Sequence, residues 1–323
     1  MASVLNANAI ATYENVIEAH ERIRPHVHRT PVLTSQYMND LIGAELFFKC
    51  ENFQKTGAFK ARGGCNSVFG LGNEDAKHGI ATHSSGNHGQ AIAYAAAMRG
   101  IEATVVMPNT APQVKKDAVR GYGANVVECE PTADARDNVL SELVTKTGAE
   151  VIHPYNDARV IAGQGTCAKE LIEDTEQLDT VITPVGGGGL ISGSCLATKA
   201  LLPAAEIIAA EPEEADDVYQ SFKAGKIIIE PGYAPKTIAD GLKAPVKNLT
   251  WHFISSYVGN VLIASEQEII NAMYLVWERM KIIIEPSCAV PIATLIANKD
   301  RFSGKRIGVI LTGGNVDFKN LPK

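Results

Sequence analysis

An α/β fold with parallel sheets covered by helices on both faces follows from three features of this 323-residue sequence. Short β-branched runs alternate with helical stretches along most of the chain. The runs are apolar throughout, as in strands buried on both faces. Glycine turns follow several runs, at Gly86, at Gly186 to Gly189 and at Gly313-Gly314. The stretch 82–156 holds strands and helices of its own. It is expected to close as a small substrate-side domain inserted in a larger one made of 1–81 and 157–323. Two open twisted sheets flanked by helices result.

Taken in order, Thr12 can cap a helix whose face carries Tyr13, Val16, Ile17, His20 and Ile23. Residues 30–34 are extended, 45–51 read as a strand and about 59–70 as a helix. A strand at 79–84 leads to a helix capped by Asn87 and stopped by Gly100. Strands follow at 103–107, 125–129 and 150–153. Between them lie a helix opened by Pro112 as an early-turn proline and a helix at 134–147. The spacing then predicts a helix at 158–174, a strand at 180–185, and a helix from the glycine run to about 202. A strand at 206–210, a helix at 266–281 and a strand at 306–311 complete the series. In the 266–281 helix, Ile269, Ile270, Met273, Val276, Trp277 and Met280 form an apolar stripe.

Composition narrows the function. The chain is 46% hydrophobic and 20% charged, with a net charge of −6. That suits a soluble enzyme and gives no support for nucleic-acid binding. The six cysteines include no Cys-x-x-Cys pair, and the eight histidines show no zinc spacing. Reduced, buried thiols in a cytoplasmic protein are expected. Residues 1–11 lack the pattern of a secretory signal, and no apolar run reaches the ~18 residues of a membrane helix.

Five motifs carry chemistry. Gln54 to Gly64 places Lys60 beside Phe59 where a strand, a turn and a helix start meet. A lysine desolvated there is nucleophilic enough for a Schiff base, although this stretch alone fits a solvated helix face better, and the other motifs reverse that. Gly186 to Gly189 lies between a strand and a helix, where bare amides can curl around a phosphate. It lacks the dinucleotide spacing and any Walker lysine. Ser84-Ser85-Gly86-Asn87-His88-Gly89 can hold a carboxylate or be a plain helix cap. Leu311-Thr312-Gly313-Gly314-Asn315 puts a hydroxyl at a strand's carboxyl end. Glu211 with Asp216-Asp217 has hard oxygens for a divalent cation, or is a solvated acidic loop.

An amine for a Schiff base, a phosphate cup and a hydroxyl for a ring nitrogen are what pyridoxal 5'-phosphate requires. On these stretches the chain resembles the fold-type II pyridoxal-phosphate enzymes of the serine/threonine dehydratase group, and within it the serine-racemase branch. The resemblance runs from about Tyr13 to Asp317. It implies Lys60 as Schiff-base lysine and Ser85 as the acid–base group on the opposite face. It further implies Phe59 flanking the ring, Gly186, Gly187, Gly188 and Gly189 on the phosphate, Asn87 on the ring oxygen and Thr312 at the pyridine nitrogen. Ser84, Ser85, Asn87, His88 and Arg136 match substrate contacts. Glu211, Asp217 and the Ala215 carbonyl match a Mg2+ or Ca2+ site. Lys55, Thr56, Gln90, Tyr122, Lys281 and Asn315 match a site for ATP between subunits of a homodimer. Thr312 replaces a serine, Ala244 replaces a serine near the substrate carboxylate, Gln36 replaces a serine near the nucleotide, and Tyr155 follows His153-Pro154 as in plant-like members. The implied activity is serine racemisation with β-elimination to pyruvate and ammonia. The alternative is a 3-hydroxyaspartate or threonine dehydratase on the same site. A binding protein with little turnover is disfavoured by the intact Lys60 and Ser85.

Overall fold

The computed structural model describes residues 6–84, 86–175, 177–230 and 232–322. Helix α1 (Tyr13–Ile23) precedes strand β1 (Val32–Leu33), helix α2 (Gln36–Ile42) and strand β2 (Glu45–Cys50). Helices α3 (Lys60–Phe69) and α4 (Asn73–Ala76) follow. Next come β3 (Ile80–His83), α5 (Asn87–Arg99), β4 (Ala103–Pro108), α6 (Gln113–Gly121), β5 (Asn125–Cys129), α7 (Ala133–Thr147) and β6 (Glu150–Val151). The chain continues through α8 (Ala158–Thr175), β7 (Thr180–Pro184), α9 (Gly189–Leu201), β8 (Glu206–Pro212), α10 (Asp217–Ala224), α11 (Asn248–Tyr257) and β9 (Asn260–Ala264). It ends with α12 (Glu266–Met280), α13 (Pro286–Ala297), α14 (Lys299–Phe302) and β10 (Arg306–Leu311).

Two sheets form, ordered β1-β2-β10-β7-β8-β9 and β5-β4-β3-β6. Every pairing is parallel except that of edge strand β1, which runs antiparallel to β2. Strand β3 is continuous across 81 and 82, where the sequence reading begins the smaller domain. All five residues of β7 are buried, which explains its unbroken apolar run. Ile182, Ile208 and Val309 pack against Met273, Val276 and Ile292 of α12 and α13. Val181 and Ile310 face Leu171 of α8 and Ala197 of α9 on the other side. In the second sheet, Val105 and Met107 meet Ile92 of α5, while Val106 meets Leu140 of α7.

Several expectations need correction. Pro112 lies just before α6 rather than inside its first turn. Strand β6 stops at Val151, two residues short of the expected end. Asn87 is the first helical residue of α5, and Gly86 occupies the cap position without a side-chain bond. The acidic loop reading fails as well, because Glu211 and Asp217 are buried.

Candidate active site

Strands β2, β7 and β10 are neighbours in the larger sheet and run the same way. Their carboxyl ends therefore deliver the lysine turn, the glycine run and the threonine turn to one edge. After β2 the chain makes a tight turn in which Thr56 has φ 60. Ala58 bridges Gly313, and the Phe59 amide donates to the Thr312 carbonyl at 2.9 Å. These contacts bring the threonine turn against the start of α3. Lys60 is half-buried there, and its Nζ donates to the Pro154 carbonyl at 2.9 Å. Nζ also lies 5.2 Å from the Phe59 ring centroid. Burial without a carboxylate partner pushes the amine down to about 8.

One turn's depth behind Lys60, Arg62 is fully buried. Its guanidinium forks Glu51 at 2.7 and 2.8 Å and Glu170 at 2.8 Å on both arms. Lys49 adds an ion pair to Glu170 at 2.9 Å. Two buried cations thus face two buried carboxylates, so each group finds a partner. The cluster ties β2, α3 and α8 together and fixes the frame on which Lys60 stands.

Among the described residues, the amides of Gly186, Gly187 and Gly188 donate to no protein acceptor, and they lead into the N-terminus of α9. This is the arrangement of an anion cup. A Cβ on Gly187 would lie 2.5 Å from the Tyr155 ring, and Gly188 has φ 90. Tyr155 is itself held by its hydroxyl, which donates to the Pro245 carbonyl at 2.9 Å. The fit to a phosphate-bearing cofactor therefore rests on free amides, a desolvated lysine and a hydroxyl turn on one sheet edge. Thr312 is buried at that edge.

In the serine–asparagine loop, the Ser84 Oγ accepts from the Gly86 amide at 3.1 Å. Ser85 lies outside the described residues. With its cap role gone, the Asn87 side chain donates to Glu285 at 2.8 Å and accepts from Asn315 at 2.9 Å. Glu285, which the sequence reading missed, is buried at the start of α13 and raised to about 7 by burial and by Asp240. Lys115 of α6 pairs with Asp240 and opposes that rise. His88 is buried with its Nδ1 unpartnered among the described residues, and burial and Lys60 hold its imidazole neutral. Arg136 is half-buried on α7, with Nε donating to the Thr132 carbonyl at 3.3 Å.

Asn315 also donates to the Thr56 carbonyl at 2.7 Å, and Gln90 lies one turn along α5 from Asn87. Lys55 sits in the adjoining turn. Among the described residues nothing bonds Tyr122 or Lys281 to this group: Tyr122 packs edge-on to Tyr94, and Lys281 is exposed after α12. The Glu211 carboxylate accepts from the Val218 and Tyr219 amides at 3.1 and 2.8 Å. Asp217 accepts from the Tyr233 hydroxyl at 2.7 Å and the Val246 amide at 2.9 Å. Ala215 is buried beside them in sequence. Burial raises both carboxyl groups, and Asp217 adds repulsion at Glu211. Two carboxylates and a carbonyl suit a hard cation, although no group of three acidic, histidine or cysteine ligands occurs among the described residues.

Fold and site together define an α/β enzyme that holds a phosphorylated carbonyl cofactor on a lysine. The family described as pyridoxal-phosphate dependent enzyme matches residues 23–313. A β-hydroxyaspartate dehydratase of Paracoccus denitrificans is 57% identical, over 97% of this chain and 99% of the relative. A serine racemase of Dictyostelium discoideum is 48% identical over 98% of both chains. The solved maize serine racemase superposes with a TM-score of 0.94 at 44% identity, covering 96% of this chain and 95% of that one. The chain belongs to the pyridoxal-phosphate dependent enzyme family.

Proposed function

We propose that this enzyme interconverts L- and D-serine and also eliminates the β-hydroxyl of serine, giving pyruvate and ammonia. The observation that carries the reading is Lys60, its amine lowered to about 8 by burial and held on the Pro154 carbonyl beside the free glycine amides. Bound pyridoxal phosphate supplies an electron sink for the bond broken at the substrate Cα. Lys60 takes and returns the Cα proton on its own face, and Ser85 serves the other face. Gly186 to Gly189 bind the phosphate, Phe59 flanks the ring, Asn87 bonds its oxygen, and Thr312 offers a neutral hydroxyl to the nitrogen. A neutral partner leaves that nitrogen unprotonated, so the site avoids long-lived carbanions. Ser84, His88 and Arg136 orient the substrate carboxylate. One relative named a dehydratase and another named a racemase, at 57% and 48% identity, support a site that does both kinds of reaction. A second reading, elimination from 3-hydroxyaspartate or threonine, is favoured by the 57% identity to the Paracoccus dehydratase. Chiral amino-acid analysis beside pyruvate release, over serine, threonine and 3-hydroxyaspartate, separates the readings. D-serine from L-serine is expected; its absence gives the dehydratase reading first place.

The remaining parts of the proposal concern the setting. The smaller domain spans 82–156 within 1–81 and 157–323, and the enzyme works as a homodimer. Lys55, Thr56, Gln90, Tyr122, Lys281 and Asn315 take ATP as an activator at the subunit boundary. Buried, free cysteines support a reducing compartment such as the cytoplasm, and no described helix is long and apolar enough to cross a membrane. Mg2+ or Ca2+ binds Glu211, Asp217 and the Ala215 carbonyl, relieving the repulsion between the acids. Millimolar Mg2+ is therefore expected to raise the melting temperature by several degrees, a shift of about 1–3 kcal/mol. Glu211→Ala should erase that response. A variant that responds like the parent removes the cation from this site.

A further inference from the structure

His153 and Lys247 meet as two donors. The His153 Nδ1 accepts from the Tyr155 and Asn156 amides at 3.3 and 3.0 Å. The ring proton is therefore on Nε2. That nitrogen lies 3.3 Å from the Lys247 Nζ, which can only donate as an ammonium. Two donors this close need a shared acceptor, and nitrogens 3.3 Å apart can share one oxygen at about 2.8 Å from each; Lys247 is exposed, so an incoming carboxylate can displace solvent there and adds charge to the bond. More positive charge surrounds the pair. Arg136 acts electrostatically on both His83 and Tyr155, and the His83 ring stands edge-on to His153 at 5.5 Å. Acids stand nearby too: Asp137 lies 3.9 Å from His83, and Asp217, which accepts from the Val246 amide, acts on Tyr155 more strongly than Arg136 does.

The position says which anion. His153 precedes Pro154, whose carbonyl holds Lys60. The Tyr155 ring packs at Gly187 on one side and stands edge-on to His153 at 4.6 Å. That ring separates the donor pair from the glycine cup, so the cup's phosphate is not its natural partner. We propose that His153 and Lys247 form a subsite for a second carboxylate on the substrate, beside the Arg136 that orients the first, making hydroxylated dicarboxylic amino acids a preferred class. This rests on the reading of the Lys60 site as a pyridoxal-phosphate site for hydroxy amino acids. Neither Lys247 nor its meeting with His153 is visible in the motifs, because the two are 94 residues apart in sequence.

The test compares L-aspartate with L-alanine, which differ by that carboxylate, as ligands of the cofactor-loaded enzyme. Binding is read from cofactor absorbance, so no turnover is needed. The parent should prefer aspartate. Lys247→Met should raise the aspartate dissociation constant by about 10- to 100-fold relative to that of alanine. Lys247→Arg should recover most of the preference. Equal losses for both ligands, or an unchanged ratio, overturn the proposal. So does a parent without preference. A fall in cofactor affinity in place of the ratio change assigns the anion to the cofactor phosphate and also overturns it. Failure of the activity reading shows separately, as a parent that makes neither D-serine nor pyruvate or other keto acid.

Discussion

Lys60→Ala is expected to lower both D-serine formation and pyruvate release by on the order of 10⁴–10⁶, because one amine carries the cofactor and the Cα proton in both reactions. The fold should survive. Nζ makes one hydrogen bond, to Pro154, and no ion pair among the described residues. Its amine is lowered from 10.5 to about 8 by burial, so the charged form is the one the folded state disfavours. Between those values the unfolded chain binds more protons, and stability rises with pH. Below about 8 the cost is fully present. Cofactor-free Lys60→Ala should accordingly melt no lower than the parent at pH 7. The same shift predicts that cofactor capture by the parent rises with pH through about 8 rather than 10.5. Circular dichroism melts and stopped-flow capture check both statements.

Ser85→Ala should divide the two reactions. Lys60 can reach only one face of the planar substrate, and inversion needs a proton on the other. A lone serine is a weak acid, so it acts through neighbours such as water or the cofactor phosphate. Loss of a positioned acid–base group costs about 10²–10⁴ in rate. Interconversion of L- and D-serine should fall by that factor while pyruvate release from L-serine persists, since elimination uses the lysine face. A variant that racemises near the parent rate contradicts the two-base reading.

The sequence makes some of this legible for physical reasons. Strands such as β7 are buried on both faces and so read as apolar runs, and consecutive glycines need a reason that an amide cup supplies. Edge strand β9 escapes the pattern because its burial is broken and its start is the polar Asn260. Helix α13 escapes too: it is almost wholly buried, shows no polar face, and contains Pro291. The start of α12 is readable, since Ser265 and Glu268 form a capping box. Side-chain partners across the chain are not. Asn87 looks like a helix cap until Glu285, 198 residues away, takes its amide. Glu285 belongs to no motif in the sequence, and only burial reveals its raised carboxyl. Glu211 reads as loop acid for the same reason, until its bonds to the start of α10 appear.

Borohydride reduction of the cofactor-loaded enzyme, followed by peptide mass spectrometry, tests the central claim most directly. The purified protein should be yellow, lose that colour on reduction, and carry the pyridoxyl group on Lys60 alone. A protein that cannot be loaded with pyridoxal phosphate, or a label on a different lysine, contradicts the account.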